Sequence, residues 1–138
     1  MKYTQRISTT ALCFSRVVGF LEFIKSIFDM DLTKKNCVPC RVGEPPLTKP
    51  EIDRYIKEVN PEWKLGFEPE KLVREFEFKD FNEAVNFINK VAKIAETEGH
   101  HPNICLHNYR KVNLELWTHK IGGLHENDFI LASKIDKL

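Results

Sequence analysis

Residues 71–99 read KLVREFEFKDFNEAVNFINKVAKIAETEG, and the hydrophobic period changes inside that stretch. From Leu72 to Lys79 the period is two. Leu72, Arg74, Phe76 and Phe78 alternate with Val73, Glu75, Glu77 and Lys79, which predicts a half-buried strand with its phenylalanines turned inward. From Phe81 the period becomes helical. Phe81, Ala84, Val85, Ile88, Val91, Ala92 and Ala95 fall on one stripe, as in a helix that covers a core with one face. Asp80 is placed to cap that helix and Gly99 to end it. A strand that feeds straight into a long amphipathic helix points to mixed α and β structure in one layered unit.

The pattern extends in both directions. Downstream, Ile104 and Leu106 follow Pro102, a turn falls near His107-Asn108, and Val112, Leu114, Leu116 and Thr118 alternate with Asn113, Glu115, Trp117 and His119. Gly122-Gly123 breaks that second strand pair, and Glu126 to Lys137 returns to helix. Upstream, Trp63-Lys64-Leu65 is a short strand followed by a turn over residues 66–69. Before it, Ile52, Tyr55, Ile56 and Val59 share one face of a helix over residues 49–59. Thr48 and Glu51 have capping-box spacing, Pro50 sits in the first turn, and Asn60-Pro61 stops the helix. Residues 31–47, punctuated by Asn36-Cys37-Val38-Pro39-Cys40 and Gly43-Glu44-Pro45-Pro46, read as a loop. The order is α-β-β-α-β-β-α. It predicts an α+β two-layer sandwich, a four-stranded antiparallel sheet with helices on one face.

The chain has 138 residues, the size of one ordinary domain. Its 21 basic and 20 acidic residues nearly cancel, so there is no broad basic field of the kind nucleic acid requires. No apolar run is long enough to span a membrane. Charge is uneven in one place. Residues 1–29 carry Lys2, Arg6, Arg16 and Lys25 against Glu22 and Asp29, a net of +2, while residues 30–138 carry 17 basic and 18 acidic residues, a net of −1. Residues 1–29 therefore read as an N-terminal extension ahead of a domain at 30–138. Their scattered serines and threonines, and the lack of acid before Glu22, suit a mitochondrial or plastid presequence. A plain or disordered extension, or a structured helix, fits the same residues. Four cysteines without a secretory signal favour a reducing compartment: the cytoplasm, or an organelle if the segment is a presequence.

Histidine is the unusual residue. All five lie between His100 and His125, where even scatter would put about one. His100 and His101 follow the end of the long helix, and His119 lies at the end of a strand that must pack beside it. Imidazoles gathered at one cleft can donate and accept protons near neutral pH. His107 reads as a solvated turn residue and His125 as a helix-entry residue. Tyr109 and Trp117 divide between core and pocket wall, and Phe76, Phe78, Phe81 and Phe87 read as core and interface. A structural zinc needs four ligands, and Cys37-x-x-Cys40 supplies two. With Cys13 and Cys105 isolated, the pair reads as reduced loop cysteines and no metal is expected.

The joint spacing carries more than any single residue. Glu96, three residues, His100-His101-Pro102, six residues, Tyr109, nine residues, His119, eight residues, Asp128 resembles the signature of the pterin-4a-carbinolamine dehydratases. Cys37-x-x-Cys40 with Pro45-Pro46-Leu47, Trp63-Lys64-Leu65, Phe76-x-Phe78 and Gly122-Gly123-Leu124-x-x-x-Asp128-Phe129 resemble the microbial type of that family, over about residues 34–138. Two positions depart from it. Gly99 stands where animal members carry an acidic residue, and Cys105 where many microbial members carry an aromatic.

The resemblance implies dehydration of 4a-hydroxytetrahydrobiopterin to quinonoid dihydropterin, which recycles the pterin of aromatic amino acid hydroxylases. It implies His100, His101 and His119 as the catalytic set. His100 and His119 would exchange protons, and His101 would mainly bind and orient the pterin. It places Pro102, Trp117, Thr118 and Lys120 with those histidines at the substrate, and Glu96 and Asp128 as supporting carboxylates. No cofactor beyond the pterin substrate is implied, and the expected assembly is a homodimer or homotetramer. A pterin-binding regulator without turnover, or a protein-dimerisation cofactor, is the alternative. Intact mass of the protein from its own cell tests the leader: cleavage removes Met1, and a mass that includes Met1 excludes it.

Overall fold

A computed structural model describes residues 31–138; the segment 1–29, and with it any presequence, lies outside the described residues. The chain runs from a 3-10 turn, Leu32–Lys34, to helix α1, Lys49–Tyr55, which tightens into a 3-10 turn over Ile56–Glu58. Strands β1, Lys64–Gly66, and β2, Lys71–Glu77, follow, then helix α2, Phe81–Glu98. Strands β3, Asn103–His107, and β4, Lys111–Leu116, lead to helix α3, Glu126–Ile135. This is the α-β-β-α-β-β-α order read from the sequence. The four strands form one antiparallel sheet in the order β1-β2-β4-β3.

The sheet has two unlike faces because side chains alternate along each strand. In the β2–β4 register Leu72 lies opposite Leu116, Arg74 opposite Leu114, and Phe76 opposite Val112. Ile104 and Leu106 of β3 continue those rows beside Leu114 and Val112. This is the inner face. Leu72, Val112, Leu114 and Leu116 are fully buried there, with Ala84, Val91 and Ala95 of α2 and Phe129, Leu131 and Ile135 of α3. The outer face carries charge. Lys71 pairs with Glu115 at 2.9 Å, Lys111 with Glu75 at 2.9 Å, His107 with Glu75 at 3.0 Å, and Arg110 with Glu77 at 2.7 Å. Glu77 faces Lys111 directly, and Lys71–Glu115 and Lys111–Glu75 pair along the diagonal, so the solvated face also favours this register.

Local signals set the helix ends. The Thr48–Glu51 capping box forms at α1, and the Asp80 carboxylate accepts from the Glu83 N–H at 2.9 Å to start α2. Gly99 ends α2 in the left-handed conformation at φ 62°, and the His100 N–H closes back on the Ala95 carbonyl at 3.1 Å. A side chain at that φ is strained, which is why glycine serves there. At the β3–β4 turn, Asn108 and Tyr109 both have positive φ, the handedness that matches the strand twist.

Several expectations shift. The helix read over residues 49–59 is α-helical only to Tyr55, because Asn60-Pro61 tightens its last turn. The strand read to Thr118 and His119 ends at Leu116, with Thr118 kept only in an isolated bridge to Gly123. The loop over 31–47 contains the Leu32–Lys34 turn, and Leu32 is buried. On α2, Phe81 is half exposed and Ala92 is exposed, whereas Phe87 is buried. Phe87 packs on Phe76 and Phe78 at centroid distances of 4.6 and 4.9 Å, so the buried stripe turns toward the aromatic rows of β2.

Arg74 lies on the inner face, a cation among phenylalanines. Its guanidinium rests 4.3 Å over Phe76 and bonds Asp136 at 2.5 Å and also Glu62. Asp136 also accepts from Trp63 Nε1 and the Asn60 N–H, each at 2.9 Å. It thus ties the end of α3 to β2 and to the α1–β1 connection. Among the described residues no helix is long and apolar enough to cross a membrane.

Two substitutions test these assignments by urea unfolding. Phe129 is fully buried and stacked on Tyr55 at 5.3 Å, so Phe129→Ala is expected to cost about 3–5 kcal/mol. Asp80→Ala removes one exposed cap and is expected to cost about 1 kcal/mol.

Candidate active site

Three chain segments converge where α2 ends, β4 ends and α3 begins. The closure at Gly99 turns the chain out of α2 and sends His100 inward and His101 outward. His100 has a side chain only 11% exposed, and its Nε2 lies 2.6 Å from Asp128 Oδ1. His101 is exposed, and its Nε2 lies 2.9 Å from Glu96 Oε1, one turn back on α2. The two carboxylates read as supports therefore each take one imidazole of the pair. Their settings differ: Asp128 is fully buried and Glu96 is open to solvent.

Asp128 is the third residue of α3. Its Oδ2 accepts the His125 N–H at 2.8 Å and the Thr118 hydroxyl at 3.1 Å, while Oδ1 meets His100. The contact to Oδ1 fixes the orientation of the His100 ring through Nε2 and leaves Nδ1 without that partner. His125 caps α3 through its own ring, accepting the Asn127 N–H at Nδ1 at 3.2 Å.

His119 reaches the site by another route. Beyond β4 the chain makes a tight turn closed by the Thr118 N–H to the Gly123 carbonyl at 2.9 Å and the Gly122 N–H to the Thr118 carbonyl at 3.0 Å. His119 and Lys120 stand exposed on that turn, and the His119 ring leans on Trp117 at a centroid distance of 3.9 Å. Gly123 is required where the turn meets the loop before α1, because a Cβ there would lie 2.9 Å from Pro46. The Leu47 N–H binds the Leu124 carbonyl at 2.8 Å across the same contact.

These groups line one pocket of about 360 Å³, which brings together His100, His101, Trp117, Thr118, His119 and Lys120. Pro102 is not among the lining residues, and Glu96 and Asp128 stand behind the imidazoles they bind. Tyr109, read as part core and part pocket wall, is neither. It is exposed at the β3–β4 turn, at the opposite end of that hairpin from the pocket, as is His107.

The pocket also has a wall that the sequence reading left out: Cys37, Val38, Pro39 and Cys40, with Glu98 and Asn127 beside them. The Cys-x-x-Cys motif was visible, but spacing alone does not place a loop in space. Both cysteines are free thiols. Burial first, and then the nearby Glu98 carboxylate, push the Cys37 thiol up to about 12; burial also raises Cys40. For Glu98 itself burial acts upward, but bonds from Lys134 and the Cys37 N–H outweigh it and hold the carboxyl below its ordinary value. Among the described residues no three His, Cys, Asp or Glu side chains are grouped to hold a metal ion.

The site has relatives. The family model described as pterin 4 alpha carbinolamine dehydratase matches residues 45–138. A protein of Alkaliphilus metalliredigens that carries the pterin-4-alpha-carbinolamine dehydratase name is 48% identical over 107 residues, 78% of this chain and 95% of that one. One of Rickettsia canadensis with the same name is 49% identical over 76% of this chain and 94% of its own. Among solved structures, a transcriptional coactivator/pterin dehydratase from Brucella melitensis superposes with a TM-score of 0.61 at 32% identity, covering 67% of this chain and 96% of that chain. Matched by that family model over residues 45–138 and by relatives nearly half identical over almost their whole length, the chain belongs to the pterin 4 alpha carbinolamine dehydratase family of hydro-lyases.

Proposed function

We propose that this pocket dehydrates 4a-hydroxytetrahydrobiopterin to quinonoid dihydropterin by histidine acid/base catalysis, and so returns the oxidised pterin of aromatic amino acid hydroxylases to a reducible form. The observation that carries the reading is the convergence of three imidazoles on one pocket, one of them locked by a buried carboxylate. The reaction breaks the C4a–O bond. A proton goes to the departing hydroxyl, which leaves as water, and a proton leaves a ring nitrogen as the C=N bond forms. No electrons enter or leave, so an acid and a base suffice.

The environments support a division of labour. His100, held by Asp128 at Nε2, presents an oriented Nδ1 whose proton exchange is backed by a fixed negative charge. His119 sits on a short turn against Trp117, which sets its ring plane while leaving it reachable from solvent. These two are the proton-transfer pair. His101, exposed and held by Glu96, binds and orients the pterin, with Trp117, Thr118 and Lys120 beside it. Self-association belongs to the same reading, and β3, an edge of the sheet among the described residues, offers backbone for it.

A dehydration assay on freshly generated carbinolamine tests the proposal. Replacing His100 or His119 by Ala is expected to lower kcat/KM by about 10²-fold or more, whereas His101→Ala should act mainly on KM. Near-normal turnover in both of the first two variants would overturn the assignment. Tight pterin binding by the wild type without rate enhancement would replace it with a binding role. Asp128→Asn keeps the shape of the side chain but removes the charge behind His100. It is expected to lower kcat more than it raises KM.

A further inference from the structure

Nothing proposed so far uses Cys37-x-x-Cys40, yet all four residues of that segment line the pocket. They lie in irregular backbone, between the Leu32–Lys34 turn and α1, where no strand or helix ladder fixes them. Side chains fix them instead, and these come from the two helix ends that hold the His100–Asp128 pair. Asn127, 2% exposed, treats the Val38 peptide as a partner strand would. Its Oδ1 accepts the Val38 N–H at 3.1 Å, and its Nδ2 donates to the Val38 carbonyl at 2.7 Å and to Cys40 Sγ at 3.3 Å. The Cys37 thiol donates to the Asn127 carbonyl at 3.6 Å. At the end of α2, Glu98 accepts the Cys37 N–H at 2.9 Å and is itself bound by Lys134.

A carboxamide supplies the acceptor and both donors that this site needs; a carboxylate would lose the donors, and an apolar side chain would leave the peptide groups unpaired. The two thiols stay protonated at neutral pH, given their raised affinity for the proton. The wall they form with Val38 and Pro39 is therefore uncharged and polarisable, suited to a flat heteroaromatic ring and not to an anion.

We propose that residues 37–40 are a fixed strap forming the substrate-contacting wall of the pocket, and that Asn127 is the positioning residue that holds it. The identity of the substrate rests on the dehydratase reading above; the strap does not.

The test uses the full chain with Asn127→Asp and Asn127→Ala, and reads two quantities. Alkylation of each cysteine by N-ethylmaleimide, followed by peptide mass, is expected to speed up about tenfold or more at Cys37 and Cys40 and to stay unchanged at Cys105, which lies on β3 away from the strap. In the dehydration assay KM is expected to rise about tenfold while kcat stays within about twofold, the pattern of lost binding and not of a damaged proton-transfer pair. Bound 7,8-dihydrobiopterin should slow alkylation of Cys40 in the wild type. Unchanged alkylation in both variants overturns the strap, and faster alkylation with unchanged KM overturns its contact with substrate. If the wild type neither turns over carbinolamine nor binds the pterin, the dehydratase reading fails, while the alkylation rates still decide the strap. Glu98→Gln weakens the second anchor and should move both readouts in the same direction if the Asn127 variants fold poorly.

Discussion

Asp128 is a carboxylate removed from water, and its placement organises this end of the molecule. A buried charge is costly unless donors surround it. Here the donors are the His125 N–H, the Thr118 hydroxyl and His100 Nε2, from the start of α3, the end of β4 and the end of α2. Moving any one of those segments would leave the charge short of a partner. The same atoms that stabilise the N-terminal turn of α3 therefore set the position of an imidazole. Stability and site geometry share one interaction here.

The sheet brings those segments together. Its inner face stacks Leu72, Leu114, Leu116 and Val112 beneath α2 and α3, and its outer face answers each carboxylate with a cation. Because a one-residue slip would turn every side chain over, both faces enforce the same register. That register puts the last residue of β4 two steps from the turn bearing His119, and the first residue of β3 two steps from His101. At the other end of α3, Arg74 and Asp136 tie β2, α3 and the α1–β1 connection together, so the two ends of α3 are held by two different polar clusters. The cluster at the N-terminal end holds the imidazole of the candidate site, and the one at the C-terminal end ties three segments of chain together.

Much of this was legible in the chain itself. The change from period two to period 3.6 at Asp80, the capping residues Thr48 and Asp80, and the terminating Gly99 are local signals, and each acts where it stands. The histidine pair after Gly99 and the single histidine after β4 were also readable as neighbours, because antiparallel strands of known length leave few places for their ends. Phe81 and Ala92 fall on the predicted stripe of α2 but outside its buried part, for one common reason. Periodicity gives the width of an apolar stripe but not the angle at which a partner meets it, and the aromatic rows of β2 drew the contact toward Phe87.

The sequence by itself determined the order of elements, the register-setting alternation and the crowding of histidines at the ends of α2 and β4, since these depend on side-chain type and on spacing along the chain. The tertiary structure decided how they are partnered. It gave Asp128 to His100 and Glu96 to His101, buried the first pair and left the second in water. It also carried Cys37–Cys40 across some ninety residues of chain to Asn127. Contacts over that separation are made by packing two helix ends against one sheet, and no local pattern encodes the distance or the depth at which they meet.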